Sequence, residues 1–382
     1  MFVSIFRREK IMRCYIPPVL LLMSSICYSA EDRECRLSQL EKEMDEVSMK
    51  TVFCNYGAKP ANGDPLISGS GWSANASLLA WHLFEGRTDF AIITENTPFT
   101  FNSTQAKTAR VNFDWGVGYR AGIGYNFFYD PSACSDWDIQ FTYTYFYASK
   151  TERASFVNDF PVSDGVVAID FPPFISGQIT YDTGSSSRRI RFSSFDLDLA
   201  RSFFVSRSVS FRPFIGLKGA LIFQRLNAKY NDSLQSPLDT QLAHNDFRGI
   251  GIKGGTDASL YFNSNWSIFD SFSGGLLFGK FHLLSDLTST DQVTTGLQIS
   301  AGSLKTSINR IVPEMQNTVG LSWESDIRDS HSHISLKLGY EFQYWWSQNQ
   351  FVHYLDGLIY LFTRLNDDLA MHGVSFDLSF DF

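Results

Sequence analysis

The segment VNFDWGVGYRAGIGYNF alternates without a break. Val111, Phe113, Trp115, Val117, Tyr119, Ala121, Ile123, Tyr125 and Phe127 take one side, and Asn112, Asp114, Gly116, Gly118, Arg120, Gly122, Gly124 and Asn126 take the other. Side chains along an extended strand point to opposite faces in turn, so this strand has one apolar face and one polar face. At about 3.3 Å per residue the run extends roughly 55 Å, more than the ~9–11 residues of a membrane-crossing strand and far more than the usual ~5–6.

The pattern recurs. DWDIQFTYTYFYA sets Trp137, Ile139, Phe141, Tyr143, Tyr145 and Tyr147 against Asp138, Gln140, Thr142 and Thr144. Phe195, Leu197, Leu199 and Phe203 oppose Ser194, Asp196, Asp198 and Ser202. Val209, Phe211, Ile215, Leu217, Leu221 and Phe223 oppose Ser210, Arg212, Gly216, Lys218 and Gln224. From Ile334 to Trp346 the polar side holds Ser335, Lys337, Gly339, Glu341 and Gln343, and GVSFDLSFDF alternates to the last residue. Strands are expected near 72–96, 110–128, 136–149, 189–205, 208–229, 247–263, 265–284, 308–328, 331–347 and 371–382. If EGRTD, 85–89, is a turn, an extra strand near 167–181 keeps the number even, which allows twelve or more.

Tight turns at 206–208, 263–265 and 328–330 alternate with long stretches at 150–188, 230–246, 285–306 and 348–371. Short turns at one end and long loops at the other are the habit of an outer-membrane barrel, and backbone polar groups in lipid require the sheet to close on itself. The fold expected is all-β, a transmembrane antiparallel barrel of about 10–12 strands over 72–382, with a short periplasmic helix before it.

Arg7, Arg8, Lys10 and Arg13 precede an apolar run at 16–26 and small residues at Ser29 and Ala30, which reads as a signal peptide over 1–30. Its removal takes four cations and one acid and moves the formal charge from −8 to −11. An acidic mature chain argues against sequence-independent nucleic-acid binding. Leu37, Leu40, Met44 and Val47 give coiled-coil spacing to a helix at 31–50, and 51–71 reads as a linker. Cys35, Cys54 and Cys134 form no ligand spacing, so no metal or cofactor is expected.

FDWGVGYRAGIGY, SDWDIQFTYTYF, FDLDLARSFFVSRSVSFRPFIGLKGA, GLLFGKF, and GLSWE followed by LGYEFQYWWSQNQ resemble, in order and spacing, the pore-forming major outer membrane proteins of the Legionella and chlamydia-like type. GWSANASLLAWHL and LAMHGVSFDLSFDF extend the resemblance from about residue 71 to the end. It implies a secreted outer-membrane barrel with porin activity and, by likeness to porins, a homo-oligomer such as a trimer. Three cysteines depart from the cysteine-rich chlamydial pattern and argue against extensive cross-linking.

The inner-face charges Asp114, Arg120, Asp138, Asp196, Asp198, Arg212, Lys218, Lys253, Asp257, Lys337 and Glu341 are the candidates to line a pore for small hydrophilic solutes and ions. The competing reading makes them salt bridges that fill the lumen of a plugged structural or adhesive barrel. Val374, Phe376, Leu378, Phe380 and Phe382 resemble the terminal signal read by the barrel assembly machinery. No GxSxG motif or triad spacing supports an enzyme, and His331 and His333 in DSHSH belong to a turn at the periplasmic side.

Overall fold

The computed structural model describes residues 71–94, 106–130, 135–155, 165–168, 181–206, 208–231, 238–263, 265–291, 297–326, 333–356, 361–364 and 366–381. The expected signal peptide, the expected helix at 31–50, the expected linker as far as residue 70, and Cys35, Cys54 and Cys134 lie outside the described residues, while Gly71, the last residue of that linker, already opens the first strand.

The strands are β1 (Gly71–Glu85), β2 (Asp89–Thr94), β3 (Ala106–Arg110), β4 (Trp115–Asp130) and β5 (Ser135–Ser155). Next come β6 (Gly165–Ala168), β7 (Thr183–Ser206), β8 (Val209–Asn231), β9 (Leu238–Tyr261) and β10 (Trp266–Asp291). The last are β11 (Leu297–Asp326), β12 (His333–Asn349), β13 (Val352–Asp356), β14 (Leu361–Arg364) and β15 (Asp367–Asp381). Ten of them close a barrel in the order β1, β15, β12, β11, β10, β9, β8, β7, β5, β4, and β4 pairs back onto β1. Every pairing is antiparallel. The seam joins the two ends of the barrel segment, with Ala74 opposite Phe380 and Leu78 opposite Phe376.

Burial is inverted relative to a soluble protein. Phe211, Ile215, Leu217, Ile250, Ile252, Leu276, Phe278, Leu338 and Phe376 are exposed, whereas Arg212, Lys218, Glu314 and Glu341 are buried. The alternation therefore puts its apolar face outward, toward lipid. On β8 the ten rises from Phe211 to Leu221 span ~33 Å along the strand, or ~25 Å along the normal at a ~40° tilt, the height of a hydrocarbon belt. Trp72, Phe262 and Trp266 flank this belt at the short-turn end, and Phe84, Trp115 and Trp346 at the other. Such aromatic girdles sit at bilayer interfaces. Leu217 is midway along the belt, so Leu217→Arg should destabilise the folded barrel by ~2–4 kcal/mol. Urea unfolding from lipid vesicles measures this, and a change within error would mean that Leu217 does not face acyl chains.

Three expectations need correction. The unbroken run over 110–128 is not one strand: β4 begins at Trp115, and Val111 and Phe113 are buried in the interior instead of continuing the outward row. The chain turns after β1 at Arg87, whose φ is 56°, but β2 leaves the barrel and forms a small sheet with β3 and β6. The count stays at ten because both neighbours of the excursion, β1 and β4, pair directly. The stretches 230–246 and 285–306 are mostly strand, since β8 to β11 run on past the lipid belt with 26 residues in β10 and 30 in β11. Their pairing continues out to Asp291 opposite Leu297.

Candidate functional site

The lumen is the one concavity that every long strand faces, and it is layered. Toward the short turns lies a polar cavity of about 170 Å³, lined among others by Arg120, Asp196, Asp198, Arg212, Lys253, Asp257 and Lys337. Its charges are tied together. The Arg212 guanidinium donates to Asp138 from β5 at 2.9 Å and to Asp257 from β9 at 2.6 Å. Lys253 bridges Asp196 at 2.9 Å and Asp198 at 2.8 Å. Lys218 reaches Glu314 at 3.2 Å across the lumen, and Arg120 reaches Glu341 at 2.7 Å. Ser77 donates to Asp377. Ion pairs inside a low-dielectric wall need these partners, since a lone buried charge is strongly disfavoured.

Directly above the charges the inner face turns apolar. Trp81 from β1, Phe146 from β5, Phe192 from β7, Phe247 from β9, Phe281 from β10 and Trp345 from β12 are all fully buried in one cluster with Ile222, Leu277 and Val312. The rings pack in series. Trp81 meets Phe146 at 5.3 Å and Phe192 at 6.5 Å, Phe192 meets Trp345 at 5.5 Å, and Phe247 meets Phe281 at 4.6 Å. Aromatic pairs at these separations are attractive beyond their buried area. Glycines make room for them: a Cβ at Gly279 would lie 2.3 Å from the Phe247 ring, and one at Gly116 2.6 Å from the Phe146 ring. The two layers touch, because Lys218 sits 5.4 Å over Trp345 and Arg120 6.0 Å over Trp81. Each cation faces a ring on one side and a carboxylate on the other.

Above the rings the lumen is polar again. Arg188 pairs with Glu85 at 3.6 Å with both side chains almost wholly buried, Gln224 donates to Glu85 at 3.0 Å, and Asn245 donates to the Gln348 carbonyl at 3.0 Å. The small sheet then packs inward on the extended strands. Phe90, Val111, Val166, Tyr230 and Leu287 form its core, and the Tyr230 hydroxyl donates to the Phe90 carbonyl at 2.6 Å.

Of the candidate lining residues, Arg120, Asp138, Asp196, Asp198, Arg212, Lys218, Lys253, Asp257, Lys337 and Glu341 all lie on the inner face. Asp114 does not join them: it precedes β4, is 72% exposed, and binds Lys150 at 2.7 Å. Lys337 also lies 5.6 Å over Phe269. Val374, Phe376, Leu378 and Phe380 point outward and are exposed, while Phe382 lies outside the described residues. His333 belongs to β12 and pairs with Asp381 at 3.3 Å, while His331 lies outside the described residues. Among the described residues no group of three His, Cys, Asp or Glu side chains is arranged to hold a metal.

The aromatic layer was missed in the sequence. Leu79, Trp81, Leu83, Phe146 and Trp345 occupy inward positions that the period assigns to polar residues, within runs where apolar residues also stand at the outward positions. The signal was present as local doubling: SLLAWHLF, YFYA and YWW carry apolar residues on both faces.

The fold is similar to that of the outer membrane protease OmpT from Escherichia coli, at 6% identity over 82% of this chain and 96% of that one, with a TM-score of 0.34. It is also similar to the TodX deltaS2S3 mutant monoaromatic hydrocarbon channel (8% identity, 82% and 90% covered, TM-score 0.25) and to a Pseudomonas aeruginosa FadL homologue (8%, 82% and 90%, 0.22). Scores this low carry neither activity nor substrate across. No curated protein matches the chain. The family described as Legionella pneumophila major outer membrane protein precursor matches residues 68–382, most of the chain. With a closed antiparallel barrel and an outward apolar belt already in place, the chain belongs to that major outer membrane protein family, and its place is the bacterial outer membrane.

Proposed function

We propose that this protein is a structural outer-membrane barrel whose lumen rests closed to solutes. The single observation that carries the reading is the fully buried aromatic layer from Trp81 to Trp345, which fills the cross-section above the charged cavity. Water and ions do not cross a dry apolar constriction readily. The paired charges beneath then act as the salt-bridged filling of a narrow barrel, as in barrels too slender for an aqueous channel. This reading is non-enzymatic, and turnover of lipid or peptide by the refolded protein would count against it.

A second reading, passive diffusion of small hydrophilic solutes and ions, is favoured by the cavity itself. Four carboxylates and four cations line it, and with the ion-pair partners Asp138, Glu314, Glu341 and Lys218 the carboxylates Asp138, Asp196, Asp198, Asp257, Glu314, Glu341 and Asp377 outnumber the cations Arg120, Arg212, Lys218, Lys253 and Lys337. On this reading the aromatic layer is a gate, and the open pore prefers cations weakly. Planar-bilayer recording of the refolded chain separates the two. A silent baseline at moderate voltage is expected; steady open steps would replace the closed barrel with the pore, and their reversal potential in a salt gradient would give its selectivity.

A further inference from the structure

On the outer wall, just beyond the lipid belt at the end away from the short turns, six cations gather on five adjacent strands. Arg189 and Arg191 stand on β7, Arg225 on β8, Arg248 on β9, Lys280 on β10 and Lys305 on β11. Their outward direction follows from parity with the exposed Phe195, Leu217, Ile250, Phe278 and Ile311, and the register sets them in three rows: Arg248 and Lys280 directly beyond Ile250 and Phe278, Arg191 one row further out beside Phe223 and Asp246, and Arg189, Arg225 and Lys305 in the row beyond that.

The arrangement contains two unfavourable juxtapositions. Arg248 pairs directly with Lys280, and Arg189 directly with Arg225. Side chains so placed stand ~4.5–5.5 Å apart at Cβ, and like charges directly opposite each other destabilise a sheet. One acid in the patch, Asp246, is already held in a bidentate pair by Arg225, and Asp286 in the row beyond accepts from Ser303. Among the described residues no carboxylate lies within ion-pair distance of Arg189, Arg191, Arg248, Lys280 or Lys305. Arg248 instead lies 5.8 Å over the Phe223 ring, which holds it against the wall.

The patch is also one-sided. At the same end of the barrel β1, β4 and β12 carry Phe84, Trp115, Tyr340 and Trp346, an ordinary aromatic girdle. A discrete set of unneutralised cations with an apolar floor below it matches the shape of an amphiphile: acyl chains against the belt, anionic groups against the guanidinium and ammonium ions. We propose that β7 to β11 form a binding site for a phosphorylated glycolipid of the outer leaflet, with Arg191, Arg248 and Lys280 contacting its phosphates. Guanidinium groups suit this role because their planar donors match phosphate oxygens in pairs.

The test uses the full refolded chain in detergent and native mass spectrometry with three probes: diphosphorylated lipid A, the same lipid A dephosphorylated, and inorganic phosphate. The phosphorylated lipid is expected to bind well above its dephosphorylated form, and R191Q/R248Q/K280Q to weaken it by roughly a hundredfold while heat-modifiable mobility shows an intact barrel. A charge-matched variant, R87Q/K107Q/R110Q, is expected to keep wild-type affinity. Equal binding of the two lipids, an equal loss in the control variant, or displacement of the lipid by an equal concentration of inorganic phosphate would each overturn the proposal. The last outcome would leave a simple anion site.

Discussion

Phe192→Ala combined with Trp345→Ala is expected to turn a silent barrel into a conducting one. The two rings meet near the centre of the aromatic layer at 5.5 Å, and both are fully buried. Removing both opens a continuous void between the charged cavity and the Arg188–Glu85 layer, and the cations over the rings keep its lower edge wet. Each large-to-small change in a packed interior costs ~3–5 kcal/mol, and neighbours that touch do not add simply. The double variant should therefore unfold at clearly lower urea while still assembling. Steady conductance steps in the variant and none in the parent are the expected record. A variant that is folded by its electrophoretic mobility yet electrically silent would show that the layer is not what closes the lumen.

The second large effect is electrostatic. Arg212→Met should destabilise the barrel by ~3–5 kcal/mol, because Asp138 and Asp257 are left facing each other in the lumen with their shared cation gone. Arg212 is 4% exposed, so solvent screens little of that loss. Neutralising the acids in the same chain, with Asp138→Asn and Asp257→Asn, should recover most of the stability, since a hydrogen-bonded neutral cluster leaves no charge unpaired. Urea unfolding of the single and triple variants from vesicles reads both. A single variant that loses less than ~1 kcal/mol would mean that lumen water solvates the acids on its own.

The wall of this protein is legible in its sequence. Phe211, Ile215, Leu217 and Phe376 face outward as their period of two requires, and the ten strands fall close to where alternation puts them. Arg120, Asp196, Arg212, Lys253 and Glu341 face inward for the same reason. Parity decides the face, and it does not depend on which strand lies alongside. The breaks in the pattern were harder. Val111 and Phe113 keep the alternation of the following strand in the sequence, yet they turn inward, because apolar side chains at the loop end bury themselves instead of meeting water, Val111 in the core of the small sheet and Phe113 in the aromatic cluster of the barrel. The glycines at 116, 249 and 279 each leave a slot for an aromatic ring from the same or a neighbouring strand, a fit that alternation does not encode.

Alternation with lipid on one side needs only local chemistry, and so the amino-acid order alone determined that these segments are strands, which face each shows to the bilayer, and where the charges point. Partnership across the lumen is a property of closure. Lys218 and Glu314 are 96 positions apart, Arg120 and Glu341 are 221 apart, and the rings of Trp81, Phe192 and Trp345 become one layer only when β1, β7 and β12 stand around the same axis. Distances of that kind are set by strand number and register, which no single segment contains; which side chains meet across the lumen was therefore decided by the tertiary structure.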